Sequence, residues 1–375
     1  MPLAVTSLTG TPSSRHHDEQ KAKHGDISLP SHMADKCASL FPLTLHPTTR
    51  DVARLVKDGG ADALTEAQRR ADDARYQEVR CRSALNPVEG MPFRWTLNPY
   101  RGCTHACHYC FARRYHQQFE LGAGDEFATV ILVKTNLPEV LRRELARPAW
   151  MREQVALGTA TDPYQPIEGH YKLTRQSLEA LCAARTPVGL VTKGPMVVRD
   201  ADLFKAVAAV ASCTIYVSVP SVNEDAWRRL EPGTASPWQR LKAVRALADA
   251  GVHVGVLMAP LVPGITADRN SIESTIRAVA DHGAHFVGAN VLYLQGGTRT
   301  HFLEFLGREY PELTGAYDEL YAAGSKYASR GYASQVQGMV RALRARYGMT
   351  SSERPSREVP DSPPPRCEQA AFDWG

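Results

Sequence analysis

The chain has 375 residues, 43% of them hydrophobic and 22% charged, with a formal net charge of +4. That length carries a sizeable core and admits two or three domains, and the mild basic excess permits a nucleic-acid partner without demanding one. Eight cysteines are too few for a disulfide scaffold, the start "MPLAVTSLTG" has no leader pattern, and the longest uncharged run (206–220) is too short and too polar to span a bilayer, so a soluble, cytoplasmic protein with no membrane partner is expected.

In chain order, residues 1–80 read as a largely disordered extension rich in Ser, Pro, His and Lys. His16, His17, His24 and His32 belong to that solvated tail, and "EAQRRADDARYQEV" suggests a short polar helix leading out of it. Apolar, β-branched runs then alternate with helical ones. "RWTL" and "QVALGTA" read as strands, followed by the helix "LTRQSLEALCAAR". "PVGLVTK" precedes the helix "ADLFKAVAAVAS", "TIYVSV" precedes "SPWQRLKAVRALADAG", and "VHVGVLMAP" precedes "NSIESTIRAVADHG"; "FVGANVLYL" is the last strand.

Continuously apolar strands are the mark of parallel strands covered by helices. Six such strands fall short of the eight of a closed barrel, so the fold class is α/β, a partial (β/α)6 TIM-like barrel over 81–300. Helices over 301–347 pack after it, and 348–375 reads as a disordered Pro-rich tail containing Cys367.

"NPYRGCTHACHYCFARRY" places Cys103, Cys107 and Cys110 just after the first strand, where parallel β/α folds build their sites. Three thiolates match three corners of a [4Fe–4S] cube and leave one iron open. With His105, His108 or Cys81 as a fourth donor, the same run makes a zinc site in a non-catalytic nucleic-acid or interaction protein. Spacing leaves both open. Gly102 lets the backbone turn tightly ahead of the first cysteine.

"C-THA-C-HY-C" resembles the cysteine signature of radical S-adenosylmethionine (SAM) enzymes. "TDPYQPIE", "VTKGPMVVRD", "VSVPS" and "RRLEPGTASPWQRLKAVRALADAGVHVGVLMAPLVPG" narrow the likeness to the branch related to spore photoproduct lyase, over residues 80–347. The resemblance implies a [4Fe–4S] cluster on Cys103, Cys107 and Cys110, with SAM on the open iron, cleaved reductively to a 5′-deoxyadenosyl radical. It places Tyr109 near the cluster and adenine, Thr161 and Asp162 at the SAM amino group, Lys193 at its carboxylate and Ser218 at its ribose. Asn290 is a weaker candidate for the adenine region. The plain rivals are a packing role for Tyr109, a turn aspartate at Asp162 and a backbone-bonded strand serine at Ser218. Glu231 and Arg240 either pair across a loop or bind substrate, and are read as structural partners. A reducing electron donor such as flavodoxin or ferredoxin is implied as partner.

Two positions depart from the repair lyase. Thr159 stands where that enzyme needs a hydrogen-donating cysteine, and Phe111 where a redox-active tyrosine is expected. Cys182, on an apolar helical stripe, and Cys213, at the start of a strand, read as core residues. The expectation is a lyase-like radical SAM enzyme of unassigned substrate. The basic runs Arg113-Arg114, Arg142-Arg143 and "RALRARY" permit a nucleic acid, although each run singly reads as a solvated helix face.

Overall fold

The computed structural model describes residues 70, 73–116 and 122–349. They fall in the larger of the chain's two units, Leu45–Gly375; the smaller, Met1–Thr44, lies outside the described residues. So do most of the extension and tail expected to be disordered, with the four N-terminal histidines, Cys37 and Cys367.

The described chain opens with four short strands, β1 (Arg75–Val79), β2 (Leu85–Pro87), β3 (Trp95–Leu97) and β4 (Tyr100–Arg101). Two single-turn helices, α1 (Arg113–His116) and α2 (Glu126–Thr129), lead to β5 (Val130–Lys134). β1 pairs parallel to β5, and β4 antiparallel to it, in a small three-stranded sheet. The polar helix expected over "EAQRRADDARYQEV" is met at Arg70 and Asp73 and corrected over Arg75–Val79, which is a strand. The sequence "RYQEV" carries little strand signal of its own. The apolar edge of "VILVK" supplies the pairing, and tertiary context overrides local propensity.

The remaining elements alternate as the sequence pattern requires. They are α3 (Leu137–Leu145), β6 (Val155–Leu157), α4 (Glu168–Tyr171), α5 (Leu173–Ala183), β7 (Val188–Thr192), α6 (Ala201–Val210), β8 (Cys213–Ser218), α7 (Glu224–Leu230), α8 (Pro237–Asp249), β9 (Val254–Leu261), α9 (Arg269–Asp281) and β10 (Val287–Val291). The main sheet has the order β10-β9-β8-β7-β6-β3-β2. The six strands from β3 to β10 are parallel, as expected; β2, antiparallel to β3, is an addition. Its outer strands do not pair with one another, so the barrel is open.

Local signals set the helices. Ser236 and Gln239 form a reciprocal capping box at the start of α8, and Leu241, Val244 and Leu247 turn one face of it into the core. Asp268 accepts from the Ser271 amide at 2.9 Å to start α9, which buries Ile272, Ile276 and Val279. Each fully buried Leu, Ile or Val contributes about 1.5–3 kcal/mol.

After the sheet come α10 (Gly297–Glu309), α11 (Thr314–Leu320) and α12 (Arg330–Arg346). Pro311 ends the first of these. α12 covers the open edge: Gln337 donates to the Ala289 carbonyl at 2.8 Å and Arg344 to that of Val287 at 3.2 Å. Phe302, Phe305, Tyr317 and Tyr321, from α10 to the turn after α11, form a second apolar core that includes Cys107 and Tyr109. The C-terminal helices thus wall the cysteine loop. Among the described residues, no helix is long and apolar enough to cross a membrane.

Candidate active site

The cysteine loop leaves β4 at Gly102, whose φ of +77° suits glycine and where a Cβ would lie 2.5 Å from the Val130 carbonyl. Neighbouring backbone then holds it. The Cys103 amide donates to the Phe127 carbonyl at 2.9 Å and the His108 amide to that of Leu230 at 3.0 Å. The Gly233 amide donates to the His105 carbonyl at 3.1 Å. A Cβ on Gly233 would stand 2.1 Å from the Thr104 carbonyl oxygen, so the loop "LEPGT" presses backbone against backbone.

Cys103 and Cys107 are buried and Cys110 is half-buried. Burial pushes the Cys103 thiol well up and that of Cys107 up to about 12. Both therefore stay neutral thiols unless a cationic group sits among them. Cys103 also feels the charges of Cys107 and Cys110, so the trio shares one field. The Thr104 hydroxyl is buried in the same loop and has no hydrogen-bond partner among the described residues. A soft thiolate donor set of this kind fits an iron–sulfur cluster. Among the described residues, no three His, Cys, Asp or Glu side chains are grouped closely enough to hold a single metal ion.

The carboxyl ends of β6, β7 and β8 supply the facing wall. Lys193 follows β7, and its Nζ lies 2.9 Å from the Ser218 hydroxyl at the end of β8 and 3.8 Å from Glu231 Oε1. It also stands 5.6 Å from the centre of the Tyr109 ring. The Tyr109 hydroxyl donates to the Glu231 carboxylate, which pairs with the fully buried Arg240. Arg240 braces the wall from behind, donating to the Ser218 carbonyl at 2.8 Å and that of Ala235 at 2.9 Å. Tyr109, Lys193 and Ser218 thus converge, with Glu231 and Arg240 as the paired support expected of them.

Thr161 and Asp162 lie behind the cysteine loop and face the protein. The Thr161 hydroxyl donates to the Gly102 carbonyl at 2.6 Å and accepts from Gln165 at 3.0 Å. Asp162 Oδ1 accepts from the Tyr164 amide (2.8 Å) and the Thr192 hydroxyl (2.6 Å). Its Oδ2 accepts from the Lys193 amide (2.7 Å) and faces His105 Nδ1 at 3.3 Å. Burial alone would raise this carboxyl. The charge and hydrogen bond of His105, with those of Thr192 and Lys193, outweigh it and hold the pKa at about 2.

Other candidates sit apart. Thr159 accepts from the Asn98 side chain at 3.2 Å. Phe111 is 43% exposed, its ring edge-on to Tyr115. Asn290 is exposed on the outer strand β10, where the register shifts between Ala289 and Val291. Cys182 and Cys213 pack in the main core. The run Arg113-Arg114 splits: Arg113 is 2% exposed, which corrects the solvated-face reading for that residue, while Arg114 is half-buried. His105 and His108 were weighed as metal donors. His105 instead faces Asp162. His108 stacks on Phe305 and meets His301 of α10 at 3.0 Å. A buried network missed in the sequence, Tyr100–Glu168–Arg199–Asp200–Tyr164, ties the small sheet to the turns after β6 and β7.

A three-thiol loop that carries a buried tyrosine lies at the carboxyl edge of an open parallel sheet, where a lysine and a serine meet it. The sequence model of the radical SAM superfamily matches residues 97–279, and the chain belongs to that superfamily. It is 39% identical over 302 residues to an uncharacterised protein of Mycobacterium tuberculosis, covering 80% of this chain and 86% of that protein. It is 25% identical over 260 residues to a radical SAM Nα-GlyT isomerase of Pseudomonas phage M6, covering 67% of this chain and 52% of that one. In fold it is similar to a spore photoproduct lyase double mutant with bound AdoMet and dinucleoside spore photoproduct. The TM-score is 0.57 at 17% identity, over 76% of this chain and 83% of that one. The protein is a radical SAM enzyme.

Proposed function

We propose that this enzyme holds a [4Fe–4S] cluster on Cys103, Cys107 and Cys110 and cleaves SAM reductively. The observation that carries this reading is the convergence of the thiol loop with Lys193, Ser218 and Tyr109 at the carboxyl ends of β7 and β8. When bound, the cluster supplies the electron that breaks the sulfonium and yields a 5′-deoxyadenosyl radical.

The chain's own residues bind and orient. Lys193 offers its ammonium to the SAM carboxylate, a charge-assisted contact. Ser218, now bonded to Lys193, offers its hydroxyl to the ribose. Tyr109, fixed by Glu231, lines the adenine side. Thr161 and Asp162 act as positioning residues: one pins Gly102, the other the Lys193 amide and His105. The second apolar core around Cys107 keeps water from the loop.

The substrate reading extends to nucleic acids. It is supported by the dinucleoside held in the solved lyase and by the surface beside the loop, where Arg114 Cζ lies 4.6 Å over the Tyr115 ring and 6.0 Å over that of Tyr293. Thr159 supplies no thiol, which argues against the repair reaction itself. The electron comes from a reduced donor such as flavodoxin or ferredoxin. Anaerobic reconstitution, reduction with dithionite and addition of SAM should release 5′-deoxyadenosine, with DNA and RNA compared as stimulants. A fully reconstituted protein that cleaves no SAM refutes the reading.

A further inference from the structure

Arg113 is among the largest fully buried side chains of the described residues. Arginine stays charged in proteins, and a buried charge normally has a counter-charge. Among the described residues, the hydrogen bonds of this guanidinium go to main-chain oxygens. Nε donates to the Cys107 carbonyl at 3.0 Å and Nη2 to that of Ala106 at 2.9 Å. Nη1 donates to the carbonyls of Ala123 at 2.9 Å and Gly124 at 2.7 Å. Its planar face lies 5.0 Å over the Phe127 ring. Among the described residues, no acidic side chain forms an ion pair with it. The acidic groups whose charge acts on it are, largest first, Cys110, Cys107, Asp125, which is exposed, and Cys103; His108, His116 and His301 also feel its charge.

The buried Arg240 shows the contrast, because it has the Glu231 carboxylate. Arg113 has the three cysteines. As neutral thiols they leave its charge uncompensated, which is costly for a buried ion. As thiolates around a cluster they make a net-negative assembly, and reduction adds one more negative charge.

We propose that Arg113 is the built-in counter-charge of the cysteine loop, a positioning residue that stabilises the reduced cluster over the oxidised one. This rests on the cluster reading above. The carbonyl contacts fix the guanidinium in place, so its field acts on the loop with little reorganisation. Its neighbour Arg114, which engages Tyr115 and Gln295 at the surface, has no such role.

The test uses the anaerobically reconstituted full chain, its Arg113→Gln and Arg113→Lys variants, and Arg114→Gln as a surface control. Iron per chain is measured first, then the midpoint potential without SAM by redox titration followed by electron paramagnetic resonance. Arg113→Gln with parental iron content should have at least tenfold less reduced cluster at a given potential, a fall of 59 mV or more for a one-electron couple. Arg113→Lys and Arg114→Gln should stay within that margin. If Arg113→Gln loses iron while Arg113→Lys keeps iron and the parental midpoint, the need for charge is equally upheld. Parental iron with an unchanged midpoint in Arg113→Gln overturns the proposal. Loss of iron in both Arg113 variants also overturns it, because the residue then only braces carbonyls. A parent chain that binds no iron and sulfide refutes the cluster reading itself.

Discussion

Replacing Asp162 by Asn turns one buried carboxylate oxygen into an amide nitrogen among donors. The Tyr164 amide and Thr192 hydroxyl point at one oxygen, and the Lys193 amide and His105 at the other. Whichever way the amide turns, its NH2 faces a donor. The lowering of the carboxyl from 3.8 to about 2 corresponds to about 2 kcal/mol, at about 1.4 kcal/mol per pKa unit. The folded carboxyl binds its proton more weakly than the unfolded one. The contribution is therefore full above the unfolded value and is lost as pH falls through about 4 towards about 2. Asp162→Asn should lose about 2 kcal/mol of unfolding free energy at pH 7, and its deficit against the parent should shrink below about pH 4. Urea unfolding followed by circular dichroism at stepped pH reads both. A variant as stable as the parent at pH 7 refutes the account of Asp162 as a lock. If that variant instead lost only SAM affinity, the aspartate would be a ligand, as its place in the sequence first suggested.

Three further outcomes follow from the same geometry. Gly233→Ala should cost about 1–3 kcal/mol by overpacking and lower the iron content, because the methyl would meet the Thr104 carbonyl; Gly315→Ala, with open space around it, should leave both unharmed. Glu231→Leu should cost about 3–5 kcal/mol in chemical denaturation by leaving Arg240 and Lys193 without their carboxylate, and Glu231→Leu with Arg240→Met should recover part of that; a double variant no more stable than the single one would sink the explanation. Cys107→Ala should abolish iron binding whereas Cys182→Ala should not, with iron analysis as the check, since Cys182 packs in the main core away from the loop.

The six parallel strands β3, β6, β7, β8, β9 and β10 and the helices α5, α6, α8 and α9 were legible because each is an apolar run or an apolar stripe set by local periodicity. The cysteine loop was legible from its spacing, and Glu231 with Arg240 from their neighbourhood in "LEPGTASPWQR". What was not legible depends on contacts between distant segments. β1 owes its strand form to β5, about 55 residues away in register. His108 and His301 are 193 residues apart. Arg113 and Arg114 look alike in "FARRY", yet a single-turn helix buries one and leaves the other at the surface, a distinction no periodicity can carry over four residues. Asp162 was legible as a charge or as a turn aspartate, and its bond from the Tyr164 amide fits the turn; its other hydrogen bonds come from β7, Lys193 and the cysteine loop, which only folding brings together.

The most direct test of the central claim is electron paramagnetic resonance of the reduced, reconstituted protein with and without SAM. The account predicts about four irons per chain, a cluster signal that changes shape when SAM is added, and loss of that signal in Cys107→Ala. A protein that takes up zinc in place of iron, or a cluster signal that SAM leaves unchanged, would contradict it.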